Sequence, residues 1–277
     1  MNDSPFRVLI TGASGLVGSA LSTFLKSKGC TVVSYARGNS ESLEGFDVVI
    51  HLAGESISSG LWTKRKKQRI WESRIDGTRD LVTSLNALTY PPKVFISASA
   101  IGYYSSSYSC QNENSPPGKS FLSSLCVEWE RASSCFKGRS AQLRFGFILS
   151  KKGGFLKAIL PIFLMGLGGR LGDGKQYISW IALEDVLSGI YHVITKEDIQ
   201  GPINFVTPNP IPQGVFTNIL AKSLKRPSFF FIPKWILLGE KNRELILSSL
   251  RISPVKLLKS GFSFLYEDLS LFFKEKL

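Results

Sequence analysis

The sequence predicts an α/β fold with a doubly wound parallel sheet and a smaller C-terminal α+β lobe. Three observations carry this: short β-branched runs alternate with amphipathic stretches, a glycine cluster directly follows the first run, and the pattern changes after about residue 150. Arg7–Thr11 is the first strand, leading through Gly12-Ala13-Ser14-Gly15-Leu16-Val17-Gly18 into an amphipathic helix that reaches Lys28. Thr31–Ala36 and Asp47–Leu52 are the second and third strands, Arg69–Leu88 has helical periodicity, and Lys93–Ala98 is the fourth strand. Phe121–Phe136 is a further helix and Ala141–Leu149 a fifth strand. Beyond it Pro and Gly punctuate mixed segments, which divides the chain into a first domain over 1–150, with later segments returning to it, and a lobe over 151–277. Phe155–Gly168 is too short to span a bilayer and is broken by Lys157 and Pro161; it reads as a buried helix or the floor of a pocket.

With 43% hydrophobic residues, the 277-residue chain can bury a sizeable core, which excludes general disorder. The opening MNDSPFRVLITG lacks the basic, apolar and small-residue series of a signal peptide. Cys30, Cys110, Cys126 and Cys135 form no C-x-x-C pair and do not cluster with His51 or His192. Free thiols, no metal site and a cytoplasmic location are the expectation. The formal charge is +13, densest at Lys64-Arg65-Lys66-Lys67 with Arg69 following. Trp62, Ile70 and Ile75 intersperse that run at helical spacing, and no nucleic-acid recognition motif accompanies it. It is therefore read as a solvated helix face rather than a nucleic-acid site. The same charge steers small anions toward the protein.

Gly12, Gly15 and Gly18 are spaced G-x-x-G-x-x-G between a strand and a helix, the context in which a backbone loop cradles a dinucleotide. Gly12 permits the tight turn, Gly15 lets the backbone approach the pyrophosphate, and Gly18 lets helix and strand pack closely. With Ser14, Leu16 and Val17 they make the helix start, whose free N–H groups hold phosphate. The first domain is thus Rossmann-type. At the end of its second strand stands Arg37 rather than the acid that accepts from a ribose 2′-hydroxyl. A guanidinium grips a 2′-phosphate through paired, charge-assisted bonds, so the expected cofactor is NADP(H).

His51-Leu52-Ala53-Gly54 resembles the cofactor-covering turn of extended short-chain dehydrogenases, and Ser97-Ala98-Ser99-Ala100-Ile101-Gly102-Tyr103-Tyr104 is similar to their S-S-x-A-x-x-Y segment. Gly54-Glu55-Ser56-Ile57, Ser73-Arg74-Ile75-x-Gly77-Thr78-Arg79, Glu128-Trp129-Glu130 and Ser179-Trp180-Ile181 resemble one atypical branch, the NAD-dependent epimerase/dehydratase-like proteins. So does the stretch from Gly168 to Gln176. Arg251 to Phe264 matches the small terminal domain of unknown function that the branch carries, here about 229–275. The resemblance implies cofactor contacts from Leu52, Ala53, Gly54 and Glu55. In the wider superfamily a Tyr-x-x-x-Lys pair exchanges the proton while hydride moves to or from nicotinamide, and a serine binds the same substrate oxygen. Ser99 matches that serine, but Phe121 and Leu125 stand where tyrosine and lysine belong. Tyr103 and Tyr104 are the nearest phenols for the proton, and both also suit packing as aromatics. Arg144, Arg170, Gln176 and Trp180 are the residues assigned to substrate, the two arginines equally suiting structural ion pairs. Ala182 stands where relatives carry histidine. Two functions stay open. One is an NADP(H)-dependent oxidoreductase or epimerase acting on a nucleotide sugar or another small anion. The other is a catalytically silent NADP(H)-binding regulator, which fits the link of some relatives to cell division.

Overall fold

The computed structural model describes residues 6–36, 42–233, 235 and 239–277. The chain begins β1 (Arg7–Thr11), α1 (Leu16–Ser27), β2 (Thr31–Tyr35), β3 (Val48–His51), α2 (Lys64–Asn86), β4 (Val94–Ala100), β5 (Ser107–Gln111), α3 (Phe121–Ser134) and β6 (Arg139–Phe145). It continues β7 (Phe147–Leu149), α4 (Gly154–Leu164), β8 (Gly169–Leu171), β9 (Tyr177–Ile178), β10 (Trp180–Ala182), α5 (Leu183–Thr195) and β11 (Gly201–Phe205). The last elements are β12 (Ile211–Pro212), α6 (Gln213–Ser223), β13 (Phe230–Ile232), α7 (Glu240–Asn242), β14 (Leu250–Ile252), α8 (Val255–Lys259) and α9 (Leu269–Lys276). Two compact units result, each assembled from separate stretches: 1–100, 124–144 and 187–203 in the first, 101–123, 145–186 and 204–277 in the second.

The first unit carries a sheet in the order β11-β6-β4-β3-β1-β2, with β1 parallel to β2 and β3, and β3 parallel to β4. Leu9, Ile10, Val49, Ile50, Phe95 and Ile96 are fully buried, the continuous apolar strands of a parallel sheet covered on both faces. Each such side chain contributes roughly 1.5–3 kcal/mol relative to exposure. Leu81, Val82 and Leu85 of α2 pack on Leu9, Val49 and Phe95. The helix starts at Lys64, five residues before its apolar periodicity, because Thr63 caps it by accepting the Lys66 N–H (3.2 Å). Lys64 and Arg65 are solvated as expected. Lys66 is not: it is buried and ion-paired to Glu55 at 2.7 Å.

In the second unit the strands are short and paired in twos: β7 with β10, β8 with β13 and β5 with β14 in parallel, β9 with β12 antiparallel. The fifth predicted strand, 141–149, breaks at Gly146 into β6 and β7. A Cβ at Gly146 would lie 2.6 Å from the Ser179 carbonyl oxygen and 2.7 Å from the Val206 side chain, a close approach that only tertiary packing reveals. Trp180, Phe216, Phe272 and Phe273 form the centre of this unit's core, joined by Leu156 and Phe163 of α4. Ala182 lies in the same core. The Asp185 carboxylate fastens the chain before α9, accepting from the Leu265 (2.6 Å) and Tyr266 (3.0 Å) N–H groups. Phe155–Gly168 is only half the buried helix that the sequence suggests, since Ile162, Leu164, Met165 and Leu167 are exposed. No described helix is long and apolar enough to cross a membrane.

Candidate functional site

At the end of β1 the chain turns at Gly12, whose φ of +73° lies in the left-handed region. A Cβ there would sit 2.7 Å from the Leu52 carbonyl carbon and from the Ala53 nitrogen, so the turn admits no side chain. Gly15 donates to the Gly12 carbonyl (3.1 Å) and precedes α1 in an extended conformation. A Cβ at Gly18 would stand 2.8 Å from the Ala13 Cα and overlap the Gly12 carbonyl oxygen. Neither an acidic residue in the first turn of α1 nor a side-chain cap is present, so its N–H groups and partial positive charge stay available to an anion.

Gly12, Ala13 and Ser14 line a cavity of about 480 Å³, together with Ser34, Tyr35 and Ala36 at the end of β2, and His51 and Ala53 after β3. His51 Nδ1 meets the Thr11 hydroxyl at 2.6 Å. Gly77, Leu81 and Ser84 line it from α2, where their spacing places them on one face. Leu16, Val17 and Gly18 form the first turn of α1, and Leu52 backs the Gly12 turn. Arg37 lies outside the described residues, but Ala36, its neighbour in sequence, is on the cavity wall. Glu55 is tied to Lys66 and, at 3.6 Å, to Arg69; the Lys66 hydrogen bond holds its carboxyl below the usual range.

One residue of this site escaped the sequence reading as a functional group. Arg74 continues the Gly77–Leu81–Ser84 stripe one turn earlier and is 8% exposed. It donates to the Glu55 carbonyl at 2.9 Å, lies 3.0 Å from where a Gly54 Cβ would be, and stacks 5.0 Å over the Trp129 ring. Burial pushes its pKa down to about 10, so it remains a cation at neutral pH. Among the described residues its Nε finds no hydrogen-bond partner. Buried donors are rarely left so. The signal was an arginine in register with apolar and small positions of a helix, which periodicity alone does not separate from a surface arginine.

Ser99, at the end of β4, donates its hydroxyl to Glu130 Oε1 (2.7 Å). Glu130 also holds Arg144 in a two-pronged pair, Nε to Oε1 at 2.8 Å and Nη2 to Oε2 at 2.7 Å. All three are buried. The nearby Cys126 thiol is pushed up to about 12 by burial, which leaves it unreactive. Because Ser99 gives its proton to a carboxylate, its oxygen is left to accept from a neighbour rather than to donate. Tyr104 is buried with its phenol donating to Asn204 Oδ1 (2.6 Å), and the Asn204 amide donates on to the Ser253 carbonyl (2.9 Å). The half-buried Tyr103 ring meets Tyr104 edge-on at 5.2 Å. Leu125 is buried, and Glu244 accepts from the Phe121 (3.2 Å) and Leu122 (2.9 Å) N–H groups at the start of α3.

Of the residues assigned to substrate, Arg144 is held by Glu130 and Trp180 is fully buried in the core of the second unit. Gln176 is also buried, its amide donating to the Leu171 carbonyl (3.2 Å). Arg170 alone presents an accessible charge. It lines a cavity of about 680 Å³ with Lys175, Tyr108, Tyr177 and Asn218, its guanidinium 5.9 Å over the Phe231 ring.

Residues 8–121 match the NAD dependent epimerase/dehydratase family, and residues 231–275 match a domain of unknown function, DUF1731. An epimerase family protein of Mycobacterium bovis is 34% identical over 281 aligned residues, which cover 93% of both chains. The chain belongs to this epimerase family. A chloroplastic family member of Arabidopsis thaliana is 33% identical, covering 96% of this chain and 85% of its own. Among solved structures, the human epimerase family protein SDR39U1 with NADPH superposes with a TM-score of 0.92 at 26% identity over 98% of each chain. A nucleoside-diphosphate sugar epimerase of Corynebacterium glutamicum gives 0.82 at 31% identity, covering all of this chain and 59% of its own. The family depends on nicotinamide dinucleotides. Gly12 without a side chain and the available N–H groups of α1 fit the phosphates of such a group.

Proposed function

We propose that this family member binds NADP(H) in the cavity at the β1–α1 turn and acts as an oxidoreductase or epimerase on a small anionic substrate without a Tyr-x-x-x-Lys pair. When bound, the nicotinamide supplies hydride exchange. The observation that carries the reading is Arg74: a buried guanidinium, in line with the cavity-facing stripe of α2, with a donor left over. In this reading Arg74 bonds a phosphate or ribose oxygen while Gly12, Ser14, Gly15, Leu16, Val17 and Gly18 hold the pyrophosphate. Leu52, Ala53 and Gly54 cover the dinucleotide, and the Glu55 carboxylate, anchored by Lys66, fixes that turn. Arg37, one residue beyond the wall at Ala36, takes the 2′-phosphate and so selects NADP(H). Ser99 accepts from a substrate hydroxyl or N–H. Tyr103 and Tyr104 are the phenols assigned to proton exchange, the Tyr104 hydroxyl donating to Asn204 Oδ1 in this structure. Arg170 offers its accessible charge to an anionic substrate.

Arg74→Gln keeps an N–H donor but removes the charge. A charge-assisted bond contributes about 1.5–3 kcal/mol, so the dissociation constant for NADPH should rise roughly ten- to a hundredfold in a fluorescence titration. Unchanged affinity in a folded variant would remove the reading. A second reading, a silent NADP(H)-binding protein, draws support from the buried Leu125 and from the hydroxyls of Ser99 and Tyr104 held inside the protein. The two separate on one observation: an enzyme oxidises bound NADPH when supplied with a keto substrate, whereas a silent binder holds it unchanged.

A further inference from the structure

A surface helix of a globular protein shows an apolar face to the core and a polar face to water, and α4 does not. Lys157 is the single polar side chain in its eleven residues. Leu156 and Phe163 point into the core, while Ala158, Ile162 and Met165, at i, i+4 and i+7, form a second apolar stripe that is exposed. Leu164 and Leu167 extend that face. It does not end with the helix. Gly166 lies against Pro227, where an added Cβ would meet the proline ring at 3.7 Å, and β8 pairs with β13 so that Phe230 stands beside Gly169. Phe230 is exposed, and Phe229 is 91% exposed. The exposed apolar side chains of α4 thus run through these contacts toward Phe229 and Phe230, more apolar side chains than a solvated face needs.

The charge along these segments is strongly biased to the positive. From 151 to 172 and from 199 to 239 the sequence holds no Asp or Glu. The exposed cations there include Lys151, Lys152 and Lys157 on and before α4, with Lys222, Lys225 and Arg226 leading into Pro227. One acid, the exposed Asp173, lies at the edge of this face, lining a cavity with Phe229, Phe230 and Phe231 beside Arg170 and Lys175. Aromatic and aliphatic side chains with lysine and arginine in clear excess match the interface of an anionic bilayer: rings and methyls enter the headgroup layer while the cations meet lipid phosphates. A border in which cations outnumber acids this far is not what a self-complementary contact between two copies requires, since it would set like charges against each other. We propose that the α4 and β13 face docks reversibly on an anionic phospholipid surface.

Sedimentation of the full chain with extruded vesicles tests this. The expected result is binding to an equal mixture of phosphatidylglycerol and phosphatidylcholine, little binding to phosphatidylcholine alone, and release at high salt. The double variant Met165→Glu, Phe229→Glu should lower the partition coefficient at least tenfold, since two large apolar side chains no longer leave water. Lys225→Glu with Arg226→Glu should lower it by roughly tenfold or more, as each cation near the surface is worth about fivefold. NADPH affinity and melting temperature of these variants should stay at the native values, because the altered side chains are exposed. Failure of the native chain to bind the anionic vesicles overturns the proposal. So does equal binding by the variants, or a concentration-dependent dimer that Met165→Glu dissolves in a chain that ignores vesicles.

Discussion

Glu130→Ala should destabilise the protein by about 3–5 kcal/mol, the cost of leaving a buried charge without its partner. The charge left behind is Arg144, 1% exposed and held by Glu130 through both Nε and Nη2. The substitution also strips the Ser99 hydroxyl of its acceptor at 2.7 Å. Thermal unfolding followed by circular dichroism should show a melting temperature lower by on the order of 10 °C. Glu130→Gln keeps an acceptor and should cost less. Replacing both partners, Glu130→Met with Arg144→Met, should recover much of the loss, because two apolar side chains of similar volume need no compensation. A loss below about 1 kcal/mol for Glu130→Ala would mean that water reaches Arg144, and that Ser99 is less fixed than this network makes it.

Gly12→Val should abolish NADPH binding within the measurable range, a loss of at least about a hundredfold, while the far-ultraviolet spectrum stays that of an α/β protein. Two effects combine. The backbone at φ +73° is strained for a β-branched residue. Its Cβ would also press on the Leu52 and Ala53 backbone at 2.7 Å, so the turn must open, which moves the first-turn N–H groups of α1. Gly60, by contrast, has a positive φ of +66° with nothing near its missing side chain. Gly60→Ala should therefore lose only the modest backbone term and keep its cofactor. Equal losses at the two positions would assign the Gly12 effect to strain rather than to the cradle.

The first half of the chain was legible because local signals agree there. β-Branched runs, glycine spacing and helical periodicity each point to the same strand–turn–helix order, and β1, α1, β2, β3, β4 and α3 fall where those signals put them. The misplaced start of α2 came from a basic first turn, which hides periodicity, and from a cap that becomes visible only once Thr63 is seen to accept from Lys66. Gly146 broke a predicted strand for a reason outside its own neighbourhood, the approach of Ser179 and Val206. The site divides in the same way. Gly12 to Gly18 announce themselves by spacing, and Leu52 to Glu55 only through the resemblance to a family segment. Arg74 does not, since its role depends on Gly54 and Trp129 meeting around it. The Ser99–Glu130–Arg144 network joins residues 31 and 14 positions apart, a distance over which charge pattern carries no information about pairing.

The most direct test is titration calorimetry of the full chain with NADPH and with NADH under the same conditions. A single NADPH site is expected, with NADH weaker by roughly tenfold or more, and a preference that Arg37→Asp narrows or inverts. Equal affinities for the two dinucleotides, or no heat from either, would contradict it.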